Sequence, residues 1–372
     1  MIQTHKNLIF GLVIVVLVVL GFAVTRRETS REVVLGGLFN LTGYGAFAGE
    51  SSRDGFTMAF EDANLPKTFV KPAVEDAASD LKMAVSGATK LITVDNAITV
   101  IGPEWTEFGE VVAPIAVKNK VPFISPWMMA EAPFVQLPYY WSATPSDRSE
   151  HTALVKYFAE HGLKKVDLIY SKNFWSQTNI AMLKEEMQKV GGLQIIAEHS
   201  LDQSARDFRT IISQIKAEKP DVIYAAIAED DGHGAFVSQA RQLGVTTLIA
   251  AHSARVASPV MKEKYKAVMY DQLFGEQVAA SRSREFEIKY EKRFEKQVQA
   301  PSAAAAYDMT TIVLAAIKSG ARTSEDIVTY LKTMSAYEGY SGMIKFDERG
   351  QLPLREVVVK KYNREGIAEE VK

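Results

Sequence analysis

The stretch VVLGGLFNLTGYGAFAGESSRDGFTMAFEDAN, Val33 to Asn64, carries an apolar strand into a Gly-rich turn and out into a long amphipathic helix. That order is the first βα unit of an open α/β sheet. Gly43, Gly45 and Gly49 let the backbone turn tightly where a ligand would meet the carboxyl end of the strand. A dinucleotide-binding reading of this turn fits poorly. The pattern G-x-G-x-x-G needs glycine where the chain has Ala48, and Gly49 comes one residue late.

Downstream the alternation continues almost to the end of the chain. Strands are expected at Val33–Phe39, Phe69–Glu75, Ile98–Gly102, Phe123–Ser125, Val166–Tyr170, Gln194–Glu198, Val222–Ala226 and Leu248–Ala251, with helices between them. In Asp207–Lys219, for example, Phe208, Ile211, Ile212 and Ile215 share one helical stripe. Such alternation predicts α/β architecture with parallel, doubly wound sheets. A chain of 372 residues is long enough for two lobes, and 47% hydrophobic with 24% charged residues is ordinary for a globular protein. A net charge of −2 without a basic stripe argues against a nucleic-acid partner. Cysteine is absent, which excludes disulfides, thiolate chemistry and thiolate-bound metals.

At the amino terminus Leu8 to Val24, LIFGLVIVVLVVLGFAV, is an uninterrupted apolar run between Lys6 and the pair Arg26-Arg27. Its length lies between a long signal-peptide core and a short membrane anchor. Gly21-Phe22-Ala23 offers a small-x-small cleavage site, and no cysteine follows for lipid attachment. Either way the remainder of the chain, after a linker to residue 31, is expected outside the cytoplasm.

Catalytic signatures are missing: there is no G-x-S-x-G elbow, no H-E-x-x-H and no G-x-x-x-x-G-K-[ST]. His233, beside Glu229, Asp230 and Asp231, is the one imidazole and carboxylate group in the sequence with metal-ligand character, and the favoured reading is a solvated loop whose acids cap the next helix. No enzyme activity, cofactor or metal is expected.

The unit at Val33–Asn64 resembles the opening of the type I periplasmic binding proteins, in particular the leucine/isoleucine/valine-binding group that serves bacterial ABC importers. The resemblance recurs in order through EDAASDLKMAVSGATKLI (Glu75–Ile92), VIGPEWTEFGEVVAPIA (Val100–Ala116), VPFISP (Val121–Pro126) and WSATPSD (Trp141–Asp147). It continues in DVIYAAIAEDDGHGAFVSQARQLG (Asp221–Gly244), APSAAAAYDMTTIVLAAIKSG (Ala300–Gly320) and YSGMIKFDERG (Tyr340–Gly350). It implies two non-contiguous lobes, 32–147 with 274–340 and 148–273 with 341–372, joined by a multi-strand hinge that closes on a ligand.

The resemblance also implies a site. Thr106 takes the position of the ligand-carboxylate-binding serine at the start of the helix Thr106–Lys118, where it also serves as an N-cap. Glu107 and Glu110 already occupy part of that positive helix end. Met129 stands where the family has an ammonium-holding threonine, and Ala48 where it has an aromatic residue, with Phe47 adjacent. Trp175 replaces a tyrosine of the second lobe, Glu229 or Asp230 aligns with another tyrosine, and Ser253 stands in for the ammonium-binding glutamate. Trp105, Trp127 and Trp175 with Glu229 and Asp230 would make an aromatic and acidic box suited to a cationic or amide ligand. The plain alternative is that these tryptophans pack the lobes. The expected partners are a small-molecule ligand (amino acid, amino-acid-like or amide) and the membrane subunits of an ABC permease, with a sensory receptor as the second reading and a nucleotide-using enzyme as the third.

Overall fold

The computed structural model describes residues 32–66, 69–128 and 131–371. The amino-terminal apolar run and Met129 therefore lie outside the described residues. Among the described residues, no helix is long and apolar enough to cross a membrane.

Strands β1 (Val33–Phe39), β2 (Val70–Asp76), β3 (Ala97–Ile101), β4 (Phe123–Ser125) and β5 (Tyr140–Ser142) form a wholly parallel sheet in the order β2-β1-β3-β4-β5. A second sheet starts with parallel β6 (Lys165–Ser171), β7 (Gln194–Leu201), β8 (Val222–Ala226), β9 (Leu248–Ala250) and β10 (Gln272–Gln277). After a small hairpin, β11 (Tyr337–Gly339) and β12 (Gly342–Ile344), the chain adds β13 (Val357–Tyr362) antiparallel to β10 and β14 (Ala368–Glu370) antiparallel to β13. The order of this second sheet is β14-β13-β10-β9-β8-β6-β7. The eight expected strands are all present within three residues of their expected ends. The short β5, the later β10 and the hairpin β11 and β12 were not anticipated, whereas strands at the carboxyl terminus were expected in the second lobe without their bounds.

Both faces of each sheet are covered, which is why β1 and β8 are apolar and buried along their whole length. On the first sheet one face packs Leu35, Phe56, Met309 and Ile317, and the other packs Leu38, Leu91, Phe108 and Val112. On the second, Leu154, Phe158 and Leu183 lie on one side, with Phe208, Ile212 and Phe236 on the other.

The chain passes between the two layers three times. It leaves the first sheet after β5, returns after β10 and crosses again between β12 and β13. The returning segment is fastened to the first helix, Ala46–Ala63. Tyr290 Oη donates to Asp54 Oδ2 at 2.8 Å, Lys296 Nζ pairs with the same oxygen at 2.8 Å, and Arg293 forks onto Glu61. The helix Ser302–Lys318 then lies so close that a Cβ at Gly55 would sit 2.0 Å from the Ala303 carbonyl oxygen.

Gly55→Ala is accordingly expected to destabilise the protein by about 1–3 kcal/mol, since backbone must move to admit one methyl group. Urea unfolding measures it, and an unchanged midpoint would mean that the two helices separate without cost.

Candidate functional site

The chemistry-bearing loops follow the carboxyl ends of parallel strands, the edge where open α/β sheets bind ligands. On the first sheet the loop after β1 is stitched to the loop after β2. Asp76 accepts from the Leu41 N–H and the Thr42 hydroxyl, both at 2.8 Å, and Ser79 Oγ accepts the Gly45 N–H at 2.9 Å. These internal bonds use donors that a phosphate would need, so the glycines have another purpose. A Cβ at Gly45 would be 2.7 Å from the Trp105 ring, and one at Gly49 would be 2.1 Å from the Asn40 carbonyl oxygen. Glycine here admits an indole on one side and a strand end on the other.

Trp105 precedes the helix Thr106–Asn119 with φ 63° and ψ 147°, a backbone region costing a bulky residue about 1–3 kcal/mol. The surroundings hold it there. Its N–H donates to the Trp127 carbonyl at 2.6 Å, and its ring stacks on Tyr44 at 5.4 Å and 8°. Phe47 and Trp127 lie 6.0 and 6.3 Å from it, and Phe47 meets Trp127 edge-on at 6.4 Å. Beneath them Glu104 is fully buried and accepts from the Asn40 N–H and side-chain amide, with burial pushing its carboxyl up. Tyr44 and Phe47 are 65% and 46% exposed, so this aromatic wall is open surface rather than core. Thr106 opens the helix beside the wall. Ala48 does not join it: its side chain is buried in the lobe, and its carbonyl accepts the Ser52 and Ser302 hydroxyls.

On the second sheet Trp175 follows the N-cap Asn173, whose side chain accepts the Ser176 N–H at 2.9 Å. The Arg255 guanidinium lies over the indole at 5.2 Å, and His252 meets its edge at 5.5 Å. Arg255 also pairs with Asp230, Glu229 with Arg206, and Asp231 with Lys264, so each expected acid already has a cation. Ser253 is engaged as well, its N–H and hydroxyl both donating to Glu150 at 3.0 and 2.8 Å. His233 is buried, bonds Gln272 at 2.8 Å and is pushed down to about 4 by burial, so the acid and imidazole group of that loop does not assemble. A cavity of about 580 Å³ of mixed lining, with Glu131, Arg148, Lys345, Phe346, Arg349 and Leu352 among its residues, lies on the crossing segments.

Sequence reasoning missed the charged cluster under Ser253. His252 Nε2 lies 3.3 Å from Asp147 and 3.7 Å from Glu150, while its Nδ1 accepts the Ala254 N–H at 3.1 Å. Burial alone would hold this imidazole down, and the two carboxylates overcome it, pushing the ring up to about 9. Protonation exchanges the Ala254 bond for a cation between two acids. Burial pushes Glu150 up, against the pull of His252. Next to them His151 is pushed down to about 4 by burial; it donates from Nδ1 to the Asp147 carbonyl and accepts the Tyr224 hydroxyl at Nε2, each at 2.9 Å.

Two doubly wound layers joined by three passes of the chain, each with aromatic rings at the carboxyl edge of its sheet, define a two-lobed solute-binding fold. The chain belongs to the periplasmic binding protein family, whose profile matches residues 32–366. It is 23% identical over 350 residues to the leucine-, isoleucine-, valine-, threonine- and alanine-binding protein of Pseudomonas aeruginosa, covering 89% of this chain and 90% of that one. Over 151 residues it is 25% identical to glutamate receptor 3.7 of Arabidopsis thaliana, which takes in 38% of this chain and 16% of the receptor's length. Its fold is similar to that of the branched-chain amino acid substrate-binding protein LivJ of Streptococcus pneumoniae, solved with isoleucine, with a TM-score of 0.75 and 21% identity over 91% of this chain and 99% of that one. Membership of the family implies an extracytoplasmic location.

The raised His252 yields a signed pH dependence. The unfolded ring titrates near 6.5 and the folded one at about 9, so its stabilisation is complete below pH 6.5 and is lost as pH rises to about 9. The stability difference between wild type and His252→Gln is expected to shrink across that interval in denaturant titrations. A difference flat from pH 6 to pH 9 would remove the coupling between His252 and its two carboxylates.

Proposed function

We propose that this protein is the extracytoplasmic solute-binding component of an ABC importer, taking a branched-chain amino acid, an amino-acid-like compound or an amide between its lobes and docking the closed form on membrane permease subunits. The observation that carries this reading is the pair of aromatic surfaces at the carboxyl edges of two sheets linked by three chain crossings. Tyr44, Phe47, Trp105 and Trp127 suit an apolar side chain, and Thr106 at a helix start suits a carboxylate. Trp175, Glu229, Asp230 and Arg255 supply the opposite wall, with Asp230 and Arg255 offering both charge signs. Ligand contact with both lobes favours the closed state by its differential affinity for it. A receptor role is the second reading, favoured by the stretch similar to a plant glutamate receptor.

A thermal-shift screen of amino acids, amides, polyamines and urea derivatives identifies the ligand, because one present at 100 times its Kd stabilises by about 2.7 kcal/mol. With that ligand, small-angle scattering is expected to show a smaller radius of gyration; binding without compaction would end the closure mechanism.

Phe47→Ala is expected to weaken binding by about 1–2 kcal/mol through lost apolar contact while leaving stability nearly unchanged, since the ring is half exposed. Isothermal titration and thermal melts on the same variant separate the two effects. Lost stability with intact affinity would make the aromatic group a packing element.

A further inference from the structure

On the second lobe, away from the residues just described, β6 brings a carboxylate into an apolar layer. Its sequence KVDLIYS alternates, and Asp167 shares a face with Ile169, which packs among Phe208, Ile212 and Ile215. Asp167 is fully buried, and neither of its carboxylate oxygens has a hydrogen-bond partner. What faces it is His199 from β7, with Nε2 3.4 Å from Asp167 Oδ1, and Glu218 from the last turn of the helix Arg209–Glu218, with Oε2 3.2 Å from the same imidazole nitrogen. One ligand atom from each of the three residues lies within 4.8 Å of the others.

We propose that Asp167, His199 and Glu218 form a binding site for a divalent first-row transition-metal ion of the zinc type, tying β6, β7 and the helix 209–218 together at the edge of the second sheet. Geometry supports it. Tetrahedral ligands about 2.1 Å from a zinc ion stand about 3.4 Å from one another, and the imidazole-to-carboxylate separations are 3.4 and 3.2 Å.

Charge supports it too. Two carboxylates and an imidazole nitrogen together supply the charge and the donor atoms that a dication needs. An imidazole among the three ligands favours a transition metal over calcium or magnesium, which prefer all-oxygen sites. Access is available, because β7 is an edge strand and the Glu218 side chain is 31% exposed. Water would complete the coordination.

The test uses the full chain in mild detergent, stripped with chelator and titrated with Zn2+ against a chromophoric competitor. One equivalent is expected to bind with a Kd in the micromolar range or tighter and to raise Tm. Asp167→Asn, His199→Ala and Glu218→Gln should each weaken binding at least tenfold and abolish the Tm rise. Asp167→Asn keeps the shape of the buried side chain, and its circular dichroism and metal-free Tm report whether it folds. Absence of stoichiometric binding to the wild type, affinity unchanged in all three folded variants, or preference for Ca2+ or Mg2+ over Zn2+ would overturn the assignment.

Discussion

The first lobe depends on a close approach at one point, where the end of β1, the start of the helix Ala46–Ala63 and the indole of Trp105 converge. Side chains at 45 or 49 would collide with the Trp105 ring or the Asn40 carbonyl oxygen, so glycine at both positions lets the helix start directly against the strand end. Trp105 is thereby wedged over the turn, and the bond from its N–H to the Trp127 carbonyl fixes the distance between the loops after β3 and β4. The strained backbone at Trp105 persists because four neighbouring rings and this bond determine it together. Remove the approach and the aromatic surface loses its scaffold along with the helix.

The second lobe is organised by charge instead. Glu150, in the first turn of its helix, receives two donors from Ser253 and faces His252, which in turn supports the edge of Trp175. Position 253 thus supports the Trp175 wall indirectly, by clamping a buried acid that faces the histidine. The rigid aromatic wall of one lobe and the ion-bonded wall of the other respond differently to solution conditions. Salt and pH act directly on the ion pairs of the second.

Local pattern made most of the fold legible. Continuous apolar runs such as Val222–Ala226 are strands because both faces are covered, and the glycine turn with its helix follows from a few neighbouring residues. β10 and the bounds and antiparallel direction of β13 were not legible because they depend on distant partners: Leu273 pairs with Lys361. The site divides in the same way. Trp105 and Trp127 are legible as aromatics on loops after strands and Phe47 as one in the first turn of the helix after β1, and the structure brings them together. Asp147, Glu150 and His252 were invisible because their contact spans about a hundred residues, and an acid in a first helical turn looks like ordinary dipole compensation. The signal that sequence reading passed over was Asp167, a carboxylate inside an apolar strand.

The expectation of an acidic box changes meaning once partners are known. An ammonium group arriving at Asp230 meets a carboxylate already held by Arg255, so binding there exchanges one cation for another and gains little in itself. Arg255 is also the cation that covers the Trp175 face, and a ligand stacking on that indole must displace or bridge it. A ligand with a carboxylate or carbonyl could meet Arg255 in place, leaving its pairing with Asp230 intact and adding an acceptor to a guanidinium with donors to spare. If the proposed solute binds at this wall, its selectivity turns on whether Arg255 stays or moves, with Asp230 as the anchor that decides it.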